Sequence, residues 1–171
     1  AILLVSTGAG MRQGRQRVGT ITGPQDMIAG IDRYQGYCQA LQAMQRPLRA
    51  ELVVEGDFSE ESGYRGMKKL LPHKPDAVFV ATDTMAMGAL RALREEGVRV
   101  PQEIALVGYD DMPAASRFDP PLTTMNQATV RLGATAVEIL LEVIQDPDSP
   151  RRHQLLQPEL VVRSSCGAIS G

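Results

Sequence analysis

Residues 77–83, Ala-Val-Phe-Val-Ala-Thr-Asp, indicate the fold class, since five apolar residues run directly into two polar ones. An apolar run of this length is typical of a strand that is covered on both faces, as in a parallel sheet. A helix rich in small residues is predicted next, over about residues 84–96, and Gly97 ends it. A second buried strand is predicted at residues 104–109, and it stops at Asp110 and Asp111.

The same alternation continues on both sides of this segment. Before it, the pattern predicts a strand at residues 18–22, a helix at 28–44, a strand at 52–54 and a helix capped by Ser59. After it come an extended piece at 122–126, an amphipathic helix at about 130–144 and short strands at 154–156 and 160–162. Strands and helices that alternate in this way predict an α/β fold with a parallel sheet flanked by helices.

The composition is that of an ordinary globular domain without a basic surface. The 171 residues carry a formal net charge of −2, and 43% of them are apolar. Proteins that bind nucleic acid usually carry a basic stripe, so this segment is not expected to bind DNA by itself. No apolar run is long enough to cross a membrane. Cys38 and Cys166 fit no metal or redox spacing, which favours reduced thiols and a cytoplasmic protein.

Polar and aromatic side chains follow the predicted strands at the edge where parallel sheets bind ligands. Phe58 follows the second strand, Thr82 the third and Asp110 the fourth. Arg33 lies on the first helix, near the same edge. An aromatic ring can stack on a ligand, while a carboxylate and a guanidinium bind its polar groups. The sequence therefore predicts a site for a polyhydroxylated or heterocyclic small molecule.

Each of these residues also has a purely structural interpretation. Asp110 could cap a turn, Phe58 could be a hydrophobic staple for the following helix, and Arg33 could be a surface charge. Asp83 is interpreted as a helix cap rather than as a ligand contact. The convergence of these residues on one edge of the sheet is what favours a binding site.

Three kinds of catalytic or cofactor site are disfavoured. Residues 6–14 resemble a glycine-rich dinucleotide loop, but they leave no room for a crossover helix before the strand at 18–22. A Mg²⁺-dependent phosphoacceptor site at Asp110 and Asp111 would need a lysine from a late strand, and the lysines lie elsewhere. His73 and His153 lie in polar, loop-like contexts and form no nucleophilic triad. We therefore predict no enzyme activity, no cofactor and no metal site.

Several strings together resemble the LacI/GalR family of transcriptional regulators, and they fall in that family's order. The match covers about residues 18–166. The strings include Asp32-Arg33-Tyr34-Gln35-Gly36-Tyr37, Glu55-Gly56-Asp57-Phe58, Ala77 to Asp83, Val107-Gly108-Tyr109-Asp110-Asp111, Pro120-Pro121-Leu122-Thr123-Thr124 and Pro158-Glu159-Leu160-Val161-Val162-Arg163.

The resemblance implies a periplasmic-binding-protein-like fold, in which two α/β lobes hold an effector in the cleft between them. Residues 18–122 would form most of the C-terminal lobe of the effector-binding domain. Residues 123–150 would be a crossover and a helix of the N-terminal lobe, and residues 151–171 would be return strands and a tail. Residues 1–17 match poorly and are interpreted as a remnant or an atypical entry segment.

Position by position, the resemblance implies an effector site. Arg33 and Asp110 would hydrogen-bond the effector, Phe58 would stack on it, and Gln127 would approach it from the crossover. Thr82 stands where many sugar-responsive members have asparagine. A sugar is favoured over a purine, because Asp and Arg with one aromatic ring are a common way of holding hydroxyl groups.

The resemblance also implies a homodimer and a regulatory role. Operator DNA would be bound only through a headpiece that this chain does not contain, and no membrane partner is expected. A periplasmic sugar-binding component of a transporter shares the fold and is the alternative, and a Mg²⁺-dependent phosphoacceptor domain is less favoured. The residues that fall where family members dimerise are Met87, Leu90, Met112 and Phe118, although Met87 and Leu90 could instead be ordinary core residues.

Overall fold

A four-stranded parallel sheet is the centre of the protein; the computed structural model describes residues 14–147, 150 and 152–167. The strand order is β2-β1-β3-β4, and each neighbouring pair is parallel. The predicted α/β fold is confirmed. The strands are β1 (Val18–Thr22), β2 (Val53–Glu55), β3 (Ala77–Val80) and β4 (Ala105–Val107), and the helices that connect them are α1 (Ile28–Ala43), α2 (Glu60–Leu70) and α3 (Asp83–Glu95).

The chain after β4 adds a second, smaller layer of pairing. Strand β5 (Thr124–Asn126) pairs antiparallel with β6 (Glu159–Val161), and helix α4 (Thr129–Gln145) lies between them in the sequence. The amide of Gly108 donates to the carbonyl oxygen of Thr123, and that of Asp110 to Met125, both at 2.9 Å. The turn that follows β4 is therefore held directly against the segment that leads to α4.

Most predicted elements lie within two residues of their predicted bounds, with two differences. Leu52 belongs to a 3₁₀ turn, Ala50–Leu52, and not to β2. Residues 154–156, predicted as a strand, form none, and Leu155 there is 90% exposed. Of the predicted entry segment at 1–17, residues 1–13 lie outside the described residues, and with them the glycine-rich loop at 6–14 except for Gly14.

Helices cover both faces of the sheet, as the uninterrupted apolar strands require. Side chains of successive strand residues point to opposite faces. Accordingly Val78 and Val80 pack in one core cluster with residues of α2 and α3. Ala77 and Phe79 pack in a second cluster with residues of α1, including the fully buried Tyr37. This double coverage leaves the two ends of the strands as the places where a ligand could approach the sheet.

Two glycines allow helices α2 and α3 to approach each other closely. A Cβ at Gly63 would lie 2.0 Å from the carbonyl oxygen of Met85. A Cβ at Gly88 would lie 1.9 Å from the carbonyl oxygen of Glu60. Because any side chain at either position would collide with backbone of the other helix, this contact fixes the positions of both helices beside the carboxyl edge of the sheet.

Helix α4 stands apart from this core. Its bounds agree with the predicted amphipathic helix, but none of its residues is buried. Leu132, Leu140 and Val143, on its predicted apolar face, are 52%, 56% and 43% exposed. The helix therefore presents an uncovered apolar face in this chain. Among the described residues, no helix has the length and hydropathy that a membrane span needs.

Candidate functional site

The carboxyl edge of the sheet brings Arg33, Asp110 and Gln127 into direct contact, with Phe58 nearby. Arg33 comes from α1, Phe58 from the loop after β2, and Asp110 from the turn after β4. Gln127 lies between β5 and α4, so it belongs to the crossover. These four predicted effector residues therefore meet at one point although they are widely separated in sequence.

The guanidinium of Arg33 lies at the centre of this site. Its Nη1 donates to the carbonyl oxygen of Ala81 at 2.7 Å, and its Nη2 lies 3.5 Å from Oδ1 of Asp110. Its Cζ lies 4.1 Å from the ring centroid of Tyr109 and 5.7 Å from that of Phe58. The side chain is only 12% exposed. The interpretation of Arg33 as a surface charge is therefore wrong, since groups from the segments after β2, β3 and β4 surround its side chain.

Asp110 receives hydrogen bonds from both sides of the site. Gln127 Nε2 donates to Oδ1 of Asp110 at 2.6 Å, and Arg33 approaches the same oxygen. Burial raises the pKa of Asp110 above its ordinary value, and the two donors oppose that shift by stabilising the carboxylate. Asp110 therefore does more than cap a local turn, because its partners are 77 and 17 residues away.

Phe58 is fixed by an unusual backbone conformation and by a tight contact. Its φ of 67° is in the left-handed region, where few residues other than glycine lie. Its ring packs on Gly23, where a Cβ would lie 2.2 Å from two ring carbons. The half-buried ring also packs against the core, and Ser59, the residue after it, caps α2 by accepting a bond from the Ser62 amide. The fourth residue of α2 is Gly63, which has no side chain for a staple contact, so the staple interpretation does not hold. The Cζ of Arg33 lies over the Phe58 ring, 5.7 Å from its centroid.

The loop around Phe58 is stabilised by Asp57. Hydrogen bonds from Ser59, together with Ser62, lower the pKa of Asp57 to about 2. The Asp57 Oδ1 accepts a bond from the Ser59 amide at 2.9 Å, which closes the turn that carries the ring.

The residue that caps α3 is Thr82 and not Asp83, which was predicted to do so. Thr82 is the N-cap of α3, because its Oγ1 accepts a bond from the Met85 amide, and the residue is only 8% exposed. Asp83 was predicted as the cap and is not. Its fully buried carboxylate accepts bonds from the Met112 amide at 2.9 Å and from the Thr124 hydroxyl at 2.6 Å. The Thr82 hydroxyl oxygen therefore serves as the acceptor at the N-terminal end of α3.

Sequence reasoning missed two groups that complete the site. The Tyr109 ring lies under the guanidinium of Arg33, and its apolar appearance within a buried strand concealed this contact. Asp111 forms a 2.7 Å ion pair with Nη2 of Arg163 and accepts a bond from Asn126 at 2.8 Å. The only signal in the sequence was the repeated aspartate after β4, and its partners lie far away along the chain.

The polar groups of the site suit a ligand rich in hydroxyl or amide groups more than a metal ion. Both carboxylates after β4 already face guanidinium or amide donors, which a bound cation would have to displace. Among the described residues, no cluster of three or more His, Cys, Asp or Glu is placed to hold a metal. Charge-assisted hydrogen bonds of this kind are easily exchanged for bonds to a polar ligand.

A depression of about 790 Å³ lies beside this site and not at it. It adjoins the edge strand β2, and its walls include Gln25, Asp57, Arg65 and Lys69. None of the five predicted effector residues lines it. At the site itself, the side chains of Arg33 and Asp110 are 12% and 27% exposed.

The predicted dimer residues separate into two groups. Met87, Leu90 and Phe118 line one shallow groove of about 370 Å³. Met87 is 37% exposed, whereas Leu90 is 7% exposed and also belongs to the core, as its alternative interpretation held. Met112 lies outside this groove, where its amide bonds Asp83 and its sulfur contacts Thr84.

Comparisons with known proteins agree with this architecture. The profile of the family described as "Periplasmic binding protein-like domain" matches residues 8–166, ten residues earlier than the motifs alone indicate. The chain is 43% identical over 154 residues to the HTH-type transcriptional regulator CelR of Thermobifida fusca, with 89% of this chain and 45% of that protein covered. It is 42% identical over 161 residues to the HTH-type transcriptional repressor PurR of Yersinia pestis (strain Pestoides F), covering 91% and 46%.

Solved structures show the same relationship. A CelR–cellobiose complex superposes with a TM-score of 0.90 at 40% identity, covering 96% of this chain and 51% of that one. A lac repressor dimer bound to operator and the anti-inducer ONPF superposes with a TM-score of 0.88 at 34% identity, covering 97% and 50%.

The chain spans about half the length of the relatives it matches, and what it matches is their effector-domain half. The family profile covers most of the chain, and the fold, the sheet order and the motifs agree with it. The chain therefore belongs to the family of periplasmic-binding-protein-like domains, as the C-terminal effector-domain region of a LacI-type transcriptional regulator.

Proposed function

We propose that this chain is the effector-sensing and dimerisation module of a LacI-type regulator, and that its effector is a sugar bound at Arg33, Phe58, Asp110 and Gln127. The observation that carries the proposal is the meeting of these residues at the carboxyl edge of the sheet. The Arg33 guanidinium lies within 3.5 Å of one carboxylate oxygen of Asp110, and each of these two groups can instead form a hydrogen bond with a ligand hydroxyl.

A sugar fits this site better than a flat heterocycle. The face of Tyr109 is already covered by the guanidinium of Arg33 at 4.1 Å, which leaves Phe58 as the one aromatic ring for stacking. One ring with several hydrogen-bonding groups is a common arrangement for polyhydroxylated ligands. The CelR relative is known as a cellobiose complex and the PurR relative is equally similar, so purines are the competing class.

Effector binding would act on the crossover through Gln127. In the structure Gln127 donates to Asp110 at 2.6 Å. A ligand hydroxyl that donates to Asp110 in place of Gln127 would release or redirect the crossover. A ligand that favours one arrangement of two lobes shifts the population towards it. In the intact regulator this shift would change how paired headpieces meet operator DNA.

Dimerisation would use the groove formed by Met87, Leu90 and Phe118. The groove combines an exposed methionine with the partly buried Phe118, and Glu60, Arg91, Arg94, Arg117 and Asp119 also line it. Methionine, aromatic residues and arginine are all enriched in protein interfaces. The lac repressor neighbour is a dimer in complex with operator, which supports a second copy as the occupant.

The test is a calorimetric titration of the intact protein with cellobiose, glucose, maltose, hypoxanthine and guanine. We expect a sugar to bind and Asp110→Asn to weaken its binding by roughly ten- to a hundredfold, because the variant loses charge-assisted hydrogen bonds worth about 1.5–3 kcal/mol. Asp32→Asn, an exposed neighbour of Arg33 on α1, is the matched control and should bind like the wild type. If only a purine base binds, the effector is a purine and not a sugar. If none of the compounds binds, the proposal that this chain senses an effector is refuted.

A further inference from the structure

The turn that carries Asp110 has a strained backbone, so contacts with residues outside the turn are needed to stabilise it. Asp110 has a φ of 119° and Asp111 a φ of 54°, two successive residues in the region that favours glycine. Non-glycine residues in such conformations persist only where the surrounding structure fixes them. The contacts of Asp111 identify what does so.

The Asp111 carboxylate is held by two side chains. Oδ1 pairs with Nη2 of Arg163 at 2.7 Å, and Oδ2 accepts a bond from Nδ2 of Asn126 at 2.8 Å. The ion pair is largely enclosed, with side-chain exposures of 19% for Arg163 and 14% for Asp111. An enclosed pair in this geometry is much less weakened by solvent than a surface pair.

Arg163 is itself anchored to the crossover strand. Its Nη1 donates to the carbonyl oxygen of Leu122 at 2.8 Å, and its amide donates to the Thr123 hydroxyl at 2.8 Å. The Arg163 guanidinium therefore joins two segments: Nη1 binds the segment that leads into β5, and Nη2 binds the turn after β4.

The same cluster brackets both partners of the effector site. Asp111 follows Asp110, and Asn126 precedes Gln127, so two of the three residues of the cluster are chain neighbours of residues in the site. Asn126 Oδ1 also accepts a bond from the Ala128 amide at 2.6 Å, which closes the turn around Gln127. The bond between Gln127 and Asp110 therefore lies directly beside the bond between their neighbours, Asn126 and Asp111.

We infer that Arg163 is a positioning residue for the effector site: through Asp111 and Asn126 it aligns the Asp110 carboxylate with Gln127. This inference rests on the proposed function for the identity of the site, but the alignment it describes is a property of the unliganded protein. It also gives the return segment at the end of the chain a part in ligand recognition, although none of its residues is assigned to the site.

The first readout needs no ligand. In ¹⁵N-labelled intact protein, the side-chain amide resonances of Gln127, assigned through Gln127→Ala, should be shifted and protected because the group donates to Asp110. We expect Arg163→Gln to move them to the positions of a free glutamine side chain. Arg163→Lys keeps the charge without the fork and should give an intermediate shift. Arg99→Gln, which removes the exposed pair with Glu103, is the control and should change nothing at Gln127.

The second readout is cellobiose affinity by calorimetry. We expect Arg163→Gln to weaken binding by roughly ten- to a hundredfold, as is common when the partner that orients a binding group is removed. If Arg163→Gln does not fold, Arg163→Lys and the isosteric Asp111→Asn carry the same test. Unchanged Gln127 resonances in a folded Arg163 or Asp111 variant would overturn the inference. If the wild type binds no cellobiose while the resonances respond, the sugar assignment fails and the positioning role stands.

Discussion

At the residue scale, the buried carboxylate of Asp83 joins three parts of the molecule. It begins α3, accepts a bond from the Met112 amide and accepts another from the Thr124 hydroxyl of β5. Burial raises its pKa to about 6, since desolvation outweighs the two hydrogen bonds, and Asp110 and Asp111 add repulsion. Asp83 therefore connects the turn that carries Met112, the sheet edge and the crossover through one ionisable group.

We expect this pKa to appear as a pH dependence of stability. The folded-state pKa, about 6, exceeds the ordinary value of 3.8, so folded Asp83 binds its proton more tightly than the unfolded chain does. The stability gained from this proton is complete below about pH 4 and is lost as the pH rises through 6. Asp83→Asn, which is neutral throughout, should remove this loss of roughly 1–3 kcal/mol.

Urea unfolding of wild type and Asp83→Asn at pH 4, 5, 6 and 7 measures the effect. Because other groups titrate in both proteins, the informative quantity is the difference between their unfolding free energies. The unfolding free energy of the wild type minus that of Asp83→Asn should fall between pH 4 and 6 and then level off. A difference that stays constant from pH 4 to 7 would show that Asp83 titrates normally.

At the element scale, the contact between α2 and α3 leaves no room for a side chain at either of two glycines. Its glycines are required by neighbouring backbone and not by their own conformation, since Gly63 and Gly88 lie in regular helices. The contact places the N-terminus of α3, with Thr82 and Asp83, beside the site edge. A shift of either helix would be transmitted to that edge because interiors are close-packed.

Gly88→Ala is expected to destabilise the protein by about 1–3 kcal/mol, because the new methyl group would meet the Glu60 carbonyl and force the helices apart. The matched control is Gly133→Ala in α4, where nothing lies within 4 Å of the added Cβ. That change should stabilise the 171-residue chain by roughly 0.5–1 kcal/mol, since alanine is the better helix former. Equal unfolding midpoints for the two variants in urea would contradict the packing argument.

At the scale of the whole molecule, two surfaces with apolar side chains stand out among the exposed apolar groups. One is the face of α4, and the other is the groove around Met87 and Phe118. The groove lies on the opposite side of the sheet from α1, and we propose that a second copy covers it.

If the groove is the interface, Met87→Glu is expected to convert a dimer into a monomer, because it replaces an apolar contact side chain by a carboxylate in a groove that already contains Glu60 and Asp119. Sedimentation velocity of the intact protein across a concentration series measures the change. Leu155→Glu alters an equally apolar but 90% exposed side chain outside the groove and should leave the mass unchanged. A Met87→Glu protein that sediments as the wild type would move the interface elsewhere.

That Arg33, Phe58 and Asp110 lie close together was predictable from residue order, because the ends of parallel strands converge on one edge whatever the loops contain. The place of Gln127 came from the family resemblance, and the binding of an effector at these residues and at Thr82 stays a prediction. Residue order did not indicate that the Thr82 hydroxyl accepts the bond from the Met85 amide that the first turn of α3 requires.

The parallel α/β sheet, the order of strands and helices along the chain and the family could all be read from the residues alone. They depend on apolar periodicity, local turn chemistry and short motifs, which lie in short stretches of residues. The folded structure was needed to show that Arg163 pairs with Asp111, that Tyr109 lies beneath Arg33 and that the buried Asp83 carboxylate binds two other segments. These contacts join residues up to 76 positions apart, and no local pattern records which distant side chain satisfies a buried charge.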